Sequence, residues 1–184
     1  MLDAIKGFPW DELIKNLASQ VGDVFVLVEV VAYLLGIIFL TSAFFLAVKA
    51  TKPNSDTSKF AWAWSLIFAS FMFVLPTTIG SLSSTIFGDA SMAADNPFAY
   101  MKTVTGTGKL APLVPILAVI GVIAVIRGLM VLRMVGMYGG RAQGSNTFSR
   151  GMVLLIAGTL LVNMKKTLGL VSGLTGLNLG AGLF

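Results

Sequence analysis

Residues 24–48 read VFVLVEVVAYLLGIIFLTSAFFLAV, an unbroken apolar run with a single charge, Glu29. As a helix rising about 1.5 Å per residue, the run crosses a hydrocarbon core of about 30 Å with some tilt. Inside hydrocarbon every backbone N–H and C=O must be paired within the protein, so the run excludes a soluble fold and any open-edged sheet. The chain as a whole agrees, with 11% charged and 56% hydrophobic residues, against about 25% charged in a soluble domain.

Three further runs follow. Residues 60–75 are closed by Pro76, and residues 110–126 open on Pro112 and Pro115, near a helix start where proline is tolerated. That third run meets Arg127 and continues as apolar sequence to residue 138. Residues 151–164 are short and run into Lys165 and Lys166, which must end the span or snorkel. The expected fold class is an all-α polytopic membrane protein of about four transmembrane helices in two hairpins, 24–76 and 110–166. A polar connector, 77–109, joins them. Within it Ile79, Leu82, Ile86 and Phe87 fall at spacings that predict a short interfacial helix. The tail, 167–184, alternates Leu with Gly, and its glycines suit close packing against other helices. The two hairpins share a plan without an evident repeat in sequence.

Residues 1–23 read as an amphipathic interfacial helix ahead of the first span. Leu2, Ile5, Leu13, Ile14, Leu17 and Val21 fall on one side, and Lys6, Asp11, Glu12, Lys15 and Asn16 on the other. A signal peptide would place its apolar run earlier, so this segment is expected to stay in the mature protein.

The residues that are missing exclude much chemistry. The chain has no Cys and no His, which removes thiol catalysis, disulfides, histidine-based triads and the usual zinc sites. No hydrophobic core holds an Asp for an intramembrane aspartyl hydrolase. The segment Thr105-Gly106-Thr107-Gly108-Lys109-Leu110 resembles a phosphate loop, but Thr103 stands where the motif needs Gly and Leu110 where it needs Ser or Thr. Neither an enzyme nor a cofactor is expected, bound anionic phospholipid apart.

Charge is lopsided. Residues 1–95 carry five bases and eight acids; residues 96–184 carry eight bases and no acid. Lys49, Lys52 and Lys59 in loop 49–59, with Arg127, Arg133, Arg141 and Arg150 around the third span and loop 139–150, form one basic band. The density of positive charge assigns that side to the cytoplasm and both termini to the outside, although Lys165 and Lys166 argue the other way. The band would face lipid headgroups or a polyanionic cargo. Glu29 has two readings: a carboxylate at the end of a span reaching the interface, or a polar contact with a neighbouring subunit. Counted from the span starts, Glu29 and Arg127 differ in depth by more than about 15 Å and should not pair within one subunit. Ala61, Ser65 and Ala69 recur every four residues, either as a packed helix interface or as the ordinary small-residue content of a membrane helix.

The glycine-rich loop Gly139-Gly140-Arg141-Ala142-Gln143-Gly144-Ser145-Asn146-Thr147-Phe148-Ser149-Arg150-Gly151, followed by a short apolar helix ending near Asn163, resembles small polytopic proteins of type IVB secretion and IncI-type conjugation systems, the DotE/IcmC and TraQ-like group. The hairpin plan also resembles conjugative pilins, whose apolar helices flank a basic loop. These resemblances imply a non-enzymatic structural subunit in a bacterial inner membrane or an extracellular pilus. The implied partners are further copies of the chain, phospholipid, other secretion or conjugation components, and single-stranded DNA or protein cargo. The competing readings are a small-solute or ion transporter centred on Glu29 and Arg127, and a holin-like pore former.

Overall fold

The first apolar run does not begin a new helix at Val24. In the computed structural model, which describes residues 10–52, 60–88, 113–138 and 146–176, α1 (Trp10–Ala50) is one continuous helix of 41 residues. No proline lies between Trp10 and Ala50, and Gly22 alone does not stop a helix already propagating. The expectation of a separate helix over 1–23 is therefore corrected for residues 10–23, which belong to the same helix as the span, while residues 1–9 lie outside the described residues. At about 1.5 Å per residue α1 is roughly 60 Å long, about twice the hydrocarbon thickness.

The other helices are α2 (Ala61–Phe73), α3 (Leu75–Phe87), α4 (Leu113–Tyr138), α5 (Asn146–Val162) and α6 (Met164–Thr175); among the described residues there is no strand. Two stretches, Gln20–Ala50 and Leu113–Met137, are long and apolar enough to cross a membrane, and the number rises to four if each bent pair, α2 with α3 and α5 with α6, is one span. Helices of this length and apolarity are those of a membrane protein and suggest a membrane location.

The expected short helix in the connector exists as α3, but it follows α2 directly. Pro76 lies in its first turn, where no N–H is needed. Its Leu75, Ile79, Gly80 and Ser83 are buried in the bundle. The remainder of the connector, with the TGTGKL segment, lies outside the described residues.

The halves share more than a plan. Each has a long helix, then a shorter helix, a sharp bend and a terminal helix, with bends of 93° at Val74 and 95° at Asn163. Val74 has φ −113°, ψ 38° and Asn163 φ −105°, ψ 41°. Each bend leaves one carbonyl, that of Phe71 or of Leu160, without its helical partner, and one device recaptures it twice, the same hydroxyl also reaching the carbonyl four residues back that already accepts the threonine's own N–H. The Thr78 hydroxyl donates to the carbonyls of Val74 (2.9 Å) and Phe71 (3.3 Å), and the Thr167 hydroxyl to those of Asn163 (3.1 Å) and Leu160 (2.8 Å). Both terminal helices close on a left-handed glycine, Gly88 (φ 70°) and Gly176 (φ 67°), a conformation that a Cβ disfavours. With the bends superposed, Leu66-Ile67, Thr78, Gly80 and Ser83 match Leu155-Ile156, Thr167, Gly169 and Ser172 at one constant spacing. The expectation of no evident repeat is revised, since the bends supply the register that apolar sequence conceals.

Because the two threonines do the same work, Thr78→Val and Thr167→Val should each lower thermal stability in detergent by a similar amount. About 1 kcal/mol is expected from the lost hydrogen bonds. Unequal effects would mean the bends are held differently.

Each hairpin is antiparallel. Gly36 of α1 lies against the Phe73 ring of α2, and in the second half Gly121 faces Gly158 while Gly128 faces Gly151. The Gly121–Gly158 crossing is the tightest: a Cβ on Gly121 would sit 2.6 Å from the Gly158 carbonyl oxygen, and one on Gly158 2.7 Å from that of Gly121. Without a hydrophobic drive between helices in lipid, such close backbone approach is a main source of cohesion. The hairpins meet where Gly136 of α4 lies under Trp64 of α2 and the Arg133 guanidinium covers Phe39 of α1. These contacts run α1 and α4 in the same direction. The stripe of Ala61, Ser65 and Ala69 is buried throughout (1%, 0% and 1% exposed), which decides for a packed interface. The tail behaves otherwise: α6 has no buried residue, and a Cβ at Gly169 or Gly173 would meet nothing within 4 Å. The expected close packing of the tail glycines is corrected for these positions; residues 177–184 lie outside the described part.

Candidate functional site at the seam between the hairpins

Polar side chains cross from one hairpin to the other at two levels. Near the loop end, Arg133 of α4 turns inward: its Nε donates to Ser65 Oγ at 3.2 Å, and its guanidinium carbon stands 4.0 Å from the Phe39 ring centroid. Ser65, fully buried on the small-residue stripe, donates in turn to Met137 Sδ at 3.0 Å. One cation thus ties α1, α2 and α4. The arrangement needs a small hydroxyl residue at position 65, since a larger side chain would displace the guanidinium.

At the bends, Asn163 is 3% exposed and its Nδ2 donates to Ser83 Oγ (2.7 Å) and to the Thr159 carbonyl (3.0 Å). Ser83 donates to the Ile79 carbonyl at 2.8 Å, and the Thr159 hydroxyl to that of Leu155 at 2.8 Å. Asn163 therefore links α3 of the first half to the break between α5 and α6 in the second. Among the described residues no buried side-chain nitrogen or oxygen lacks a hydrogen-bond partner.

The seven basic residues of the expected band are distributed unevenly. Lys49, Lys52 and Arg150 are exposed, Arg133 is half-buried and engaged at the seam, and Lys59 and Arg141 lie outside the described residues. Arg127 is exposed on the face of α4 that also presents Ile120, Ile123 and Met134. Glu29 is half-buried at the edge of the outer face of α1 and accepts a long hydrogen bond, 3.4 Å, from the Tyr33 hydroxyl one turn on.

The register between the long helices revises the depth argument. Arg133 covering Phe39 sets Arg127 level with residue 33; Gly136 against Trp64, with Gly36 against Phe73, sets it level with residue 36. Glu29 and Arg127 then differ by about 6 to 10 Å along the helix axes, less than their span starts imply.

Sequence reading did not single out Ser83, Thr159, Phe39 or Met137. For Ser83 and Thr159 the signal was faint, since small polar residues in apolar helices also hydrogen-bond to their own backbone in ordinary membrane helices, and nothing set Phe39 or Met137 apart from their apolar neighbours. No family model, curated protein or solved structure matches the chain.

Proposed function

We propose that the chain is a non-enzymatic structural subunit that packs with further copies of itself in a bacterial inner membrane, or in a pilus drawn from it, as part of a conduit for DNA or protein. The type IV secretion and conjugation context rests on the resemblance of residues 139–164. In this reading each bent pair contributes one crossing, giving four, with the termini outside and the exposed Lys49, Lys52 and Arg150 facing headgroups or cargo on the cytoplasmic side.

Arg127 carries the assembly reading. It is exposed on an apolar helix face, and the end of that apolar span, Met137, lies about 15 Å further along. In a lone chain that face meets hydrocarbon, where a central Arg costs about 2.5–3.5 kcal/mol on insertion scales. A neighbouring copy presenting Glu29, about 6 to 10 Å away in depth and within the combined reach of the two long side chains, offsets this cost, and Glu29 lies at the edge of an outer face as such a contact requires.

A transporter reading gains support from the two bends, because transporters build sites from broken helices. The buried polar groups at these bends bind one another, which leaves them committed to packing and favours the structural reading. Transport across proteoliposomes that is abolished by Glu29→Gln while assembly persists would reverse that preference.

In mild detergent the purified protein is expected to run as an oligomer. Glu29→Arg and Arg127→Glu alone should each shift it toward the monomer by roughly tenfold or more in association constant, as for a broken buried ion pair. The double exchange should restore the oligomer. A wild type that is monomeric in both detergent and nanodiscs overturns the proposal.

A further inference from the structure

We infer that α6 lies in the membrane interface as a basic amphipathic helix that binds anionic phospholipid, while its structural counterpart α3 is a core element. Both helices leave a preceding helix at nearly a right angle, 93° for α3 and 95° for α6. If α5 crosses the bilayer, a helix at 95° to it runs along the membrane plane. The two differ in what they present. α3 carries no charge and buries Leu75, Ile79, Gly80 and Ser83, whereas α6 begins Met164-Lys165-Lys166 and buries nothing.

Projected around the helix, α6 is amphipathic. Met164, Leu168, Leu170, Val171 and Leu174 fall on one arc together with Thr167 and Thr175, whose hydroxyls bond to backbone carbonyls, and Lys165, Lys166, Gly169, Ser172 and Gly173 fall on the other. Among the described residues the apolar arc is covered only at its start, where Met164 and Leu168 are half-buried, while Leu170 is 47%, Val171 37% and Leu174 79% exposed. The occupant that fits both arcs is a bilayer surface, with acyl chains against the leucines and headgroup phosphates near the lysines. The lysine pair directly after the bend also argues against α6 as the re-entrant half of a broken span, since both cations would be carried into hydrocarbon.

The absence of cysteine makes the test direct. Leu174→Cys and Gly173→Cys, on opposite arcs of one turn, are labelled with an environment-sensitive fluorophore in the full-length protein. Each is reconstituted into phosphatidylcholine vesicles with and without phosphatidylglycerol. The label at 174 should emit blue-shifted light and be quenched by lipids spin-labelled at shallow depth, and the label at 173 should report water. Lys165→Gln with Lys166→Gln should reduce the preference for phosphatidylglycerol roughly tenfold, as expected for basic residues at an anionic surface. Water-like emission at 174 in both vesicles overturns the inference. So does a blue shift without lipid quenching, which would mean a protein covers the face. A lysine variant with unchanged lipid preference overturns the anionic specificity. None of these outcomes depends on the oligomeric state, so they separate this inference from the assembly reading.

Discussion

Gly158→Leu should prevent the second hairpin from forming. The first added carbon would sit 2.7 Å from the Gly121 carbonyl oxygen and 2.9 Å from the Val125 amide nitrogen. Both are backbone atoms of α4 and cannot swing aside as a side-chain tip can. The helices must separate, and the contacts along Gly128 and Gly151 loosen with them. Overpacking costs about 1–3 kcal/mol where side chains can yield, and more is expected where backbone is struck. The expected result is loss of monodisperse protein in detergent, or a melting temperature lowered by at least several degrees. Gly169→Leu is the control, because no neighbour lies within 4 Å there. It should leave stability unchanged. Equal damage from both would mean that helix propensity, and not the crossing, was measured.

Arg133→Ala should lower stability by about 2 kcal/mol, through the lost stacking on Phe39, the lost hydrogen bond to Ser65 and the space left between three helices. Part of the loss is offset because the charge no longer has to be held away from water. Ser65 keeps its bond to Met137, so no buried hydroxyl is abandoned. Arg127→Ala should differ in kind. Its side chain is exposed, so the melting temperature of a monomeric form should not change while self-association weakens. Chemical denaturation of both variants, paired with sedimentation, distinguishes the two arginines. A stability loss at Arg127 equal to that at Arg133 would contradict the packing described.

Several features were legible before the fold because their physics is local. The run over residues 24–48 reads as a helix, since a helix pairs its own backbone in lipid and the run is far longer than the about 9–11 residues of a barrel strand. Pro76 marked the end of α2 within a few residues, and Ile79, Leu82 and Ile86 announced α3 by their spacing. The stripe of Ala61, Ser65 and Ala69 was visible as a pattern, but its meaning was not: small residues permit close approach without specifying what approaches. The amphipathic start failed for a related reason. Its periodicity is that of a helix on a surface, and equally that of the exposed end of a longer helix, and continuity of the backbone chose the second.

The seam depended on register. Arg127 and Arg133 look alike in sequence, two basic residues six positions apart in one apolar segment, yet they emerge on different sides of α4, one outward and one onto Phe39. Asn163 meets Ser83 across 80 residues of chain, and only two bends of nearly equal angle bring them together.

Composition and hydropathy by themselves determined that this chain is helical, has stretches long and apolar enough to cross a membrane and carries excess positive charge, because solvation and backbone pairing depend on which residues occur in succession. Only the tertiary structure decided which cation is engaged in packing, which small residues touch and which terminal helix is left uncovered. Those outcomes depend on the angular register between helices, and a stretch of apolar residues constrains that register weakly until glycine contacts and polar bridges fix it.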